Sequence, residues 1–222
     1  MNLRTNRGRF ADRAEAGRTL AALLGGYAGR GDVVVLGLPR GGVPVAAEVA
    51  EALGAVLDVL IVRKIGAPGQ PELAMGAIAA VGDDVQVVRN EAVLDGLHVT
   101  PDSFRAVYRQ ELDELHRRAS TYRGGRGPIA VAGNVVIVVD DGLATGSTMR
   151  AAVAAVQQSG PARLVVAVPV GAERTCESLR QQVDEVVCAL QPNPFHAVHQ
   201  GYLDFSQTRD DEVLALLAGR SG

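Results

Sequence analysis

The strongest constraint on the fold lies in residues 135–148, Val-Val-Ile-Val-Val-Asp-Asp-Gly-Leu-Ala-Thr-Gly-Ser-Thr. Five successive aliphatic residues, Val135 to Val139, lack the polar alternation of a half-solvated strand. They fit a parallel strand covered on both faces. The strand ends in two adjacent carboxylates, Asp140 and Asp141, and a loop of small residues follows at once. Met149 to Gln157, with Ala151, Ala152, Ala154 and Ala155, has helix-forming composition. Strand, loop and helix together aim backbone N–H groups and the positive end of a helix dipole at one point, where phosphate oxygens bind. Carboxylates at the strand end suit ribose hydroxyls. The combination describes a site for a phosphorylated sugar.

A plain strand-to-helix turn accounts for one Asp as a cap and one Gly for geometry. It does not account for two Asp together with Thr145, Gly146, Ser147 and Thr148. A nucleotide-binding P-loop needs Lys after its last Gly, whereas Ser147 follows Gly146. No Gly-x-Gly-x-x-Gly follows a predicted strand, and no Gly-x-Ser-x-Gly elbow is present.

The remaining pattern alternates. Helices are predicted for Arg9 to Tyr27, Val43 to Leu53, Phe104 to Arg118, Glu173 to Gln181 and Asp210 to Ala218. Strands are predicted for Val33 to Leu36, Val56 to Val62, Leu164 to Val170 and Glu185 to Leu190. Met75 to Val81 and Val85 to Val88 form a pair around Gly82-Asp83-Asp84. On Phe104 to Arg118 the i,i+4 spacing predicts ion pairs Asp113–Arg117 and Glu114–Arg118. This order indicates one α/β domain over 1–222, with a mainly parallel sheet flanked by helices. A helical insertion interrupts it at about 91–126, and a C-terminal hood covers about 191–222. Ligands of such sheets bind at the carboxyl ends of the strands. Leu38 to Gly42, Arg63 to Leu73 and Asp140 to Thr148 all follow strands, so they can converge on one cleft.

Three further segments carry chemistry. In Pro39-Arg40-Gly41-Gly42, two glycines before a helix make a loop that an anion can approach closely, with Arg40 as a clamp; a tight connection with a solvated Arg is the competing reading. Arg63-Lys64-Ile65-Gly66-Ala67-Pro68-Gly69-Gln70-Pro71-Glu72-Leu73 reads as a loop, neither helix nor strand. Lys64 and Arg63 stand at its base; Glu72 fits an ion pair or a catalytic role. The tail Pro192 to Gln207 holds Phe195, Tyr202 and Phe205 in an aromatic-poor chain. These aromatics could anchor the tail to the body of the domain.

Residues 136–148 resemble the phosphoribosyl-pyrophosphate (PRPP) signature of type I phosphoribosyltransferases. Pro39 to Gly42, Arg63 to Gly76 and Pro194 to Gln207 are similar to a bacterial subgroup of unassigned base specificity. Gly142 departs from the signature, which has an aliphatic residue or Ser there. The resemblance implies an Mg²⁺-dependent transferase of nucleotide metabolism that moves phosphoribose from PRPP to a nitrogenous base. Ala144, Thr145, Gly146, Ser147 and Thr148 would then hold the 5-phosphate, and Gly41 and Gly42 the pyrophosphate. Asp140 and Asp141 would bind ribose directly or through hydrated Mg²⁺, with Lys64 and Arg40 stabilising the leaving group. Residues 63–73 would match a mobile loop, and Phe195 and Tyr202 would lie beside the base. The alternatives are a PRPP-binding regulator without catalysis, a transferase for a non-base amine, and a pyrophosphokinase, for which no ATP site is evident.

Composition sets outer bounds. The 222 residues, 47% of them hydrophobic, can bury a sizeable core. A net charge of −3 gives no overall footprint for nucleic acid or membrane. Arg117, Arg118, Arg123 and Arg126 could touch RNA in a regulator, but interspersed with acidic residues in a chain of charge −3 they fit a solvated loop better. No apolar run reaches the ~18 residues of a spanning helix. Met1 to Arg13, with Arg4, Arg7, Arg9 and Arg13, does not read as a secretory signal. A cytoplasmic, reduced protein is expected, able to form a homo-oligomer. Cys176 and Cys188 fit no metal or redox motif, Cys188 reads as a small core residue, and His196 and His199 lack a ligand cluster.

Overall fold

The computed structural model describes residues 8–219, so Arg4 and Arg7 lie outside it. Two sheets form. The larger contains β1 (Val33–Gly37), β2 (Val56–Val59), β6 (Val135–Val139), β7 (Arg163–Val170) and β8 (Glu185–Leu190). Its order is β2-β1-β6-β7-β8, and every pairing is parallel. The smaller is an antiparallel meander of β3 (Ile61–Ala67), β4 (Gln70–Val81) and β5 (Asp84–Arg89).

The aliphatic run at 135–139 is buried because its two faces belong to two cores. Val135, Ile137 and Val139 pack with Val33, Val35 and α2 (Gly42–Leu53). Val136 and Val138 pack with Val34, Leu36 and α5 (Ser147–Gln158). The first core also takes in residues of α1 (Arg13–Leu23), α4 (Pro101–Arg123) and α7 (Asp210–Ala218). The second takes in α6 (Glu173–Arg180). Helices thus cover both faces, as the lack of alternation requires. Cys188 is only partly buried against the second core, and its Sγ donates to the Leu190 carbonyl at 3.3 Å.

Local chemistry sets several helix ends. Asp12 caps α1 through Glu15 N–H at 2.8 Å. Thr100 caps α4 through Ser103 N–H at 3.2 Å, with Pro101 next and Gly124 left-handed at the far end. A short α3 (Glu91–Gly96) precedes α4.

Two expectations need correction. The predicted strand 56–62 splits at Leu60, where the chain leaves the parallel sheet for the meander. Around that point Val59 to Val62 is apolar throughout and carries no mark of such a change. Residues 63–73 are not an irregular loop: β3 and β4 run into it and leave Pro68 and Gly69 as the turn, with Gly69 at φ +74. The glycine and proline signals mark a bulge instead. Register shifts at Gly66, where a Cβ would stand 2.6 Å from the Pro71 carbonyl oxygen.

On α4, Glu114 pairs with Arg118 as spaced, but it also takes Arg117, which the sequence assigned to Asp113. Arg63 is held by Glu111 at 2.6 Å and ties β3 to α4. Arg123 is only 11% exposed and meets Asp58, 8% exposed, at 3.2 Å. Arg126 donates to the Leu217 carbonyl at 2.8 Å. Arg123 and Arg126 therefore face inward and do not form an RNA-binding surface with Arg117 and Arg118.

The Asp58–Arg123 pair yields a stability test. Asp58→Ala leaves a buried guanidinium without its partner and should lower unfolding free energy by about 3–5 kcal/mol. Asp58→Leu combined with Arg123→Met should recover most of the loss in urea titration. A double variant no better than Asp58→Ala would show that the pair does more than neutralise charge.

Candidate functional site

The centre of the site is built by backbone proximity. Because β1 and β6 are neighbours, the turns that follow them touch. A Cβ on Gly41 would lie 1.9 Å from Asp141 Oδ2, and one on Gly42 would lie 2.8 Å from Asp140 Cα. Any side chain at either position would collide with the acidic pair. The two glycines thus allow the turn to lie directly on the carboxylates; the Pro39–Arg40 peptide within it is cis.

The acidic pair is crowded. Burial, then the neighbouring Asp141 charge, push the Asp140 carboxyl well above its usual range. Asp141 is also raised by burial, partly opposed by Arg13. Arg13 donates to Asp141 Oδ2 through Nε at 2.9 Å and Nη2 at 2.8 Å. Its Nη1 reaches the Ser206 carbonyl at 2.6 Å, and its guanidinium lies 4.1 Å from the centre of the Phe205 ring. Asp140 Oδ1 accepts from Asp141 N–H at 2.9 Å. Asp140 Oδ2 and Asp141 Oδ1 remain for a ligand among the described residues. One Arg does not neutralise two desolvated carboxylates, so the pair suits a cation or sugar hydroxyls. Magnesium fits this donor set, since it commonly takes one or two carboxylates and completes its shell with water and substrate phosphates. No group of three or more His, Cys, Asp and Glu is placed to form a full protein cage among the described residues.

The following loop is braced from outside. Thr175 on α6 donates to the Ala144 carbonyl at 2.7 Å, and Arg150 Nη2 donates to the Thr145 carbonyl at 2.5 Å. Gly146 is left-handed at φ +74, and a Cβ there would lie 2.6 Å from Thr175 Cγ2. It is the N-cap residue of α5 and supplies no side-chain cap. The first N–H groups of this 12-residue helix, with exposed Ser147 and Thr148, therefore suit an anion. Arg150 and Thr175 were invisible as site residues in the sequence, where neither belongs to the acidic pair or the small-residue run.

The expected residues do not all meet in one place. Lys64, Ser147, Thr148 and Arg150 line one cleft of about 380 Å³ between the meander and α5. Lys64 also contacts Glu72 at 3.3 Å, an exposed pair. Arg40 instead lines a separate polar pocket of about 200 Å³ against α4. The tail aromatics divide. Tyr202 is 3% exposed, packed with Phe10 and Phe205, and its hydroxyl donates to the Asp141 carbonyl at 2.6 Å. This corrects its assignment as a base-stacking surface: Tyr202 anchors the tail beneath the acidic pair. Phe195 is only partly buried. Gly142, where the signature prefers a larger residue, supports Val198 of the tail: a Cβ would lie 2.2 Å from Val198 Cγ1.

Known proteins share the sequence and fold of this chain. A model of the phosphoribosyl transferase domain matches residues 10–204. A Mycobacterium tuberculosis H37Rv protein, provisionally named a phosphoribosyl transferase, is 50% identical over 208 residues, or 94% of this chain. A counterpart from strain CDC 1551 matches equally. The chain spans about half (46%) of the length of these relatives. The crystal structure of TT1426 from Thermus thermophilus superposes with a TM-score of 0.82 at 44% identity, covering 96% of this chain and 100% of that one. No helix among the described residues is long and apolar enough to cross a membrane.

The raised Asp140 carboxyl has a stability consequence. The unfolded chain releases this proton at the ordinary value, about 4, whereas the folded chain holds it to higher pH. Ligand-free stability therefore falls as pH rises from the unfolded value toward the raised one. Asp140→Asn keeps the Oδ1 acceptor and removes the charge, so it should melt above wild type at pH 7. The gap should close as pH falls toward 4. A variant less stable at both values would reject the argument.

Proposed function

This chain belongs to the type I phosphoribosyltransferase family, and from that premise we propose that it transfers the 5-phosphoribosyl group of PRPP to a nitrogenous base, releasing pyrophosphate. One observation carries the reading. The α5 N-terminus, which has no side-chain cap, follows an acidic pair on which Gly41 and Gly42 rest.

In this mechanism the N–H groups of Ala144 to Thr148 and the hydroxyls of Thr145, Ser147 and Thr148 hold the 5-phosphate. Arg150 adds charge one turn into α5. Asp140 and Asp141 orient the ribose hydroxyls, with Arg13 keeping Asp141 in place. As the C1–oxygen bond breaks, positive charge gathers on the sugar and the bonding pair leaves with pyrophosphate. The carboxylates stabilise the first charge; Lys64 and Arg40 stabilise the second. Magnesium, when bound, would be held by Asp140 and Asp141 and would supply further charge for the leaving group. The acceptor nitrogen bonds to C1 and passes its proton to the departing pyrophosphate, with Phe195 as the ring beside it. Lys64 can leave Glu72 readily, since an exposed ion pair is worth only about 0–1 kcal/mol. The turn at Pro68–Gly69 then acts as the tip of a lid that excludes water.

Calorimetry with PRPP, with and without Mg²⁺, tests the binding claim, and pyrophosphate release across purine and pyrimidine bases tests the transfer. Thr145→Ala should weaken PRPP binding by about 1.5–3 kcal/mol, the size of a hydrogen bond to a charged group. Lys64→Ala should lower turnover far more than affinity, because leaving-group charge matters most in the transition state. Equal losses of both would refute that role. PRPP binding without turnover on any base would make the chain a PRPP-binding regulator.

A further inference from the structure

The four arginines of the α4 region separate into two kinds. Arg123 and Arg126 are tied inward, to Asp58 and to the Leu217 carbonyl. Arg117 and Arg118 are 64% and 43% exposed, and they face Arg40 across a polar pocket completed by Thr121, Tyr122 and Asp210. This brings a β1–α2 turn residue against α4 residues more than seventy positions away in sequence.

The charges in the pocket are only partly compensated. Glu114 accepts Arg117 through Nε at 2.7 Å and Nη2 at 2.9 Å, and Arg118 through Nε at 2.7 Å. This shared contact pulls the Glu114 carboxyl down to about 2, first through Arg117 and then through Arg118. It leaves Arg117 Nη1 and both Nη nitrogens of Arg118 for another acceptor among the described residues. The Asp210 carboxylate accepts from the Tyr122 hydroxyl at 2.5 Å. Thr121 donates its hydroxyl to the Arg117 carbonyl at 2.8 Å. Three guanidiniums face two carboxylates, so one positive charge remains, and the remaining donors are planar forks suited to phosphate oxygens. The cavity, about 200 Å³, falls below the ~300–1,000 Å³ of pockets for drug-sized ligands. A small polyanion fits where a nucleoside does not.

We infer that Arg117 and Arg118 of α4, with Arg40, form a binding pocket for a pyrophosphate-class anion, separate from the loop at Ala144 to Thr148. The insertion that interrupts the α/β alternation thereby gains a role, as it brings two guanidiniums to the turn after β1. The anion has two sources: pyrophosphate released at the neighbouring acidic pair, or a free polyphosphate bound independently of it. The pocket rests on its own residues, so it stands whether or not the chain transfers phosphoribose.

Calorimetry with inorganic pyrophosphate on the full chain tests this, comparing wild type, Arg117→Gln/Arg118→Gln and Gly146→Val. The double variant should lose at least about tenfold in affinity, as expected when charge-assisted hydrogen bonds are removed. Gly146→Val closes the other anion loop, so the pyrophosphate binding that survives in it should be the part the double variant loses. Arg105→Gln, which removes a positive charge at the other end of α4, should change nothing. Circular dichroism confirms that each variant is folded. Competition between pyrophosphate and PRPP would identify a leaving-group subsite, and simultaneous binding an independent effector; both support the pocket. No pyrophosphate binding by wild type at millimolar concentration, or undiminished binding by the folded double variant, would overturn it. PRPP titrations in parallel keep the two readings apart, since failure to bind PRPP with pyrophosphate binding intact refutes only the transferase.

Discussion

The site depends on one steric fact: the backbone at Gly41 and Gly42 lies against the side chain of Asp141 and the backbone of Asp140. A methyl group at either glycine would force the turn after β1 away from the end of β6. The parallel pairing of these strands sets the approach, and the absence of two side chains permits it. In this way a hydrogen-bonded sheet, made from aliphatic residues with no chemistry of their own, holds a cationic turn beside an acidic pair.

That closeness has an electrostatic cost. Two adjacent carboxylates are removed from water with Arg13 as the main counter-charge, which raises both above their ordinary range. A ligand-free fold thus carries destabilisation that a cation or a hydroxyl-bearing sugar would relieve. Binding energy and fold stability are coupled at this point, and a neutral substitution trades one for the other.

Arg13 links the acidic pair to the tail. It joins Asp141 to the Ser206 carbonyl and lies over Phe205, while Tyr202 closes the same corner through the Asp141 carbonyl. Gly142 completes the arrangement by admitting Val198. The departure from the family signature at this position follows from tail packing, not from phosphate binding. A larger residue at 142 would move the hood segment before it touched the phosphate loop.

The local pattern was enough to identify the buried parallel strand at 135–139, the acidic pair that ends it, the small-residue loop before α5 and most of the order of helices and strands. Each of these has a short-range signature: an apolar run, adjacent charges, small residues before a helix. The β3–β4 turn, the division of the four arginines and the burial of Tyr202 were beyond that reach. Gly66 and Pro71 signal a break, but only pairing across the strands makes it a bulge. Arg13 and Asp141 lie 128 positions apart, and no periodicity connects them. Arg117 and Arg118 share a charge pattern with Arg123 and Arg126, and only the packing of α4 turns one pair inward and the other toward Arg40. Backbone propensity and hydrophobic order act over a few residues and are written in the chain; the pairing of charges across the fold was decided by tertiary packing, because contact in space follows the whole path of the backbone.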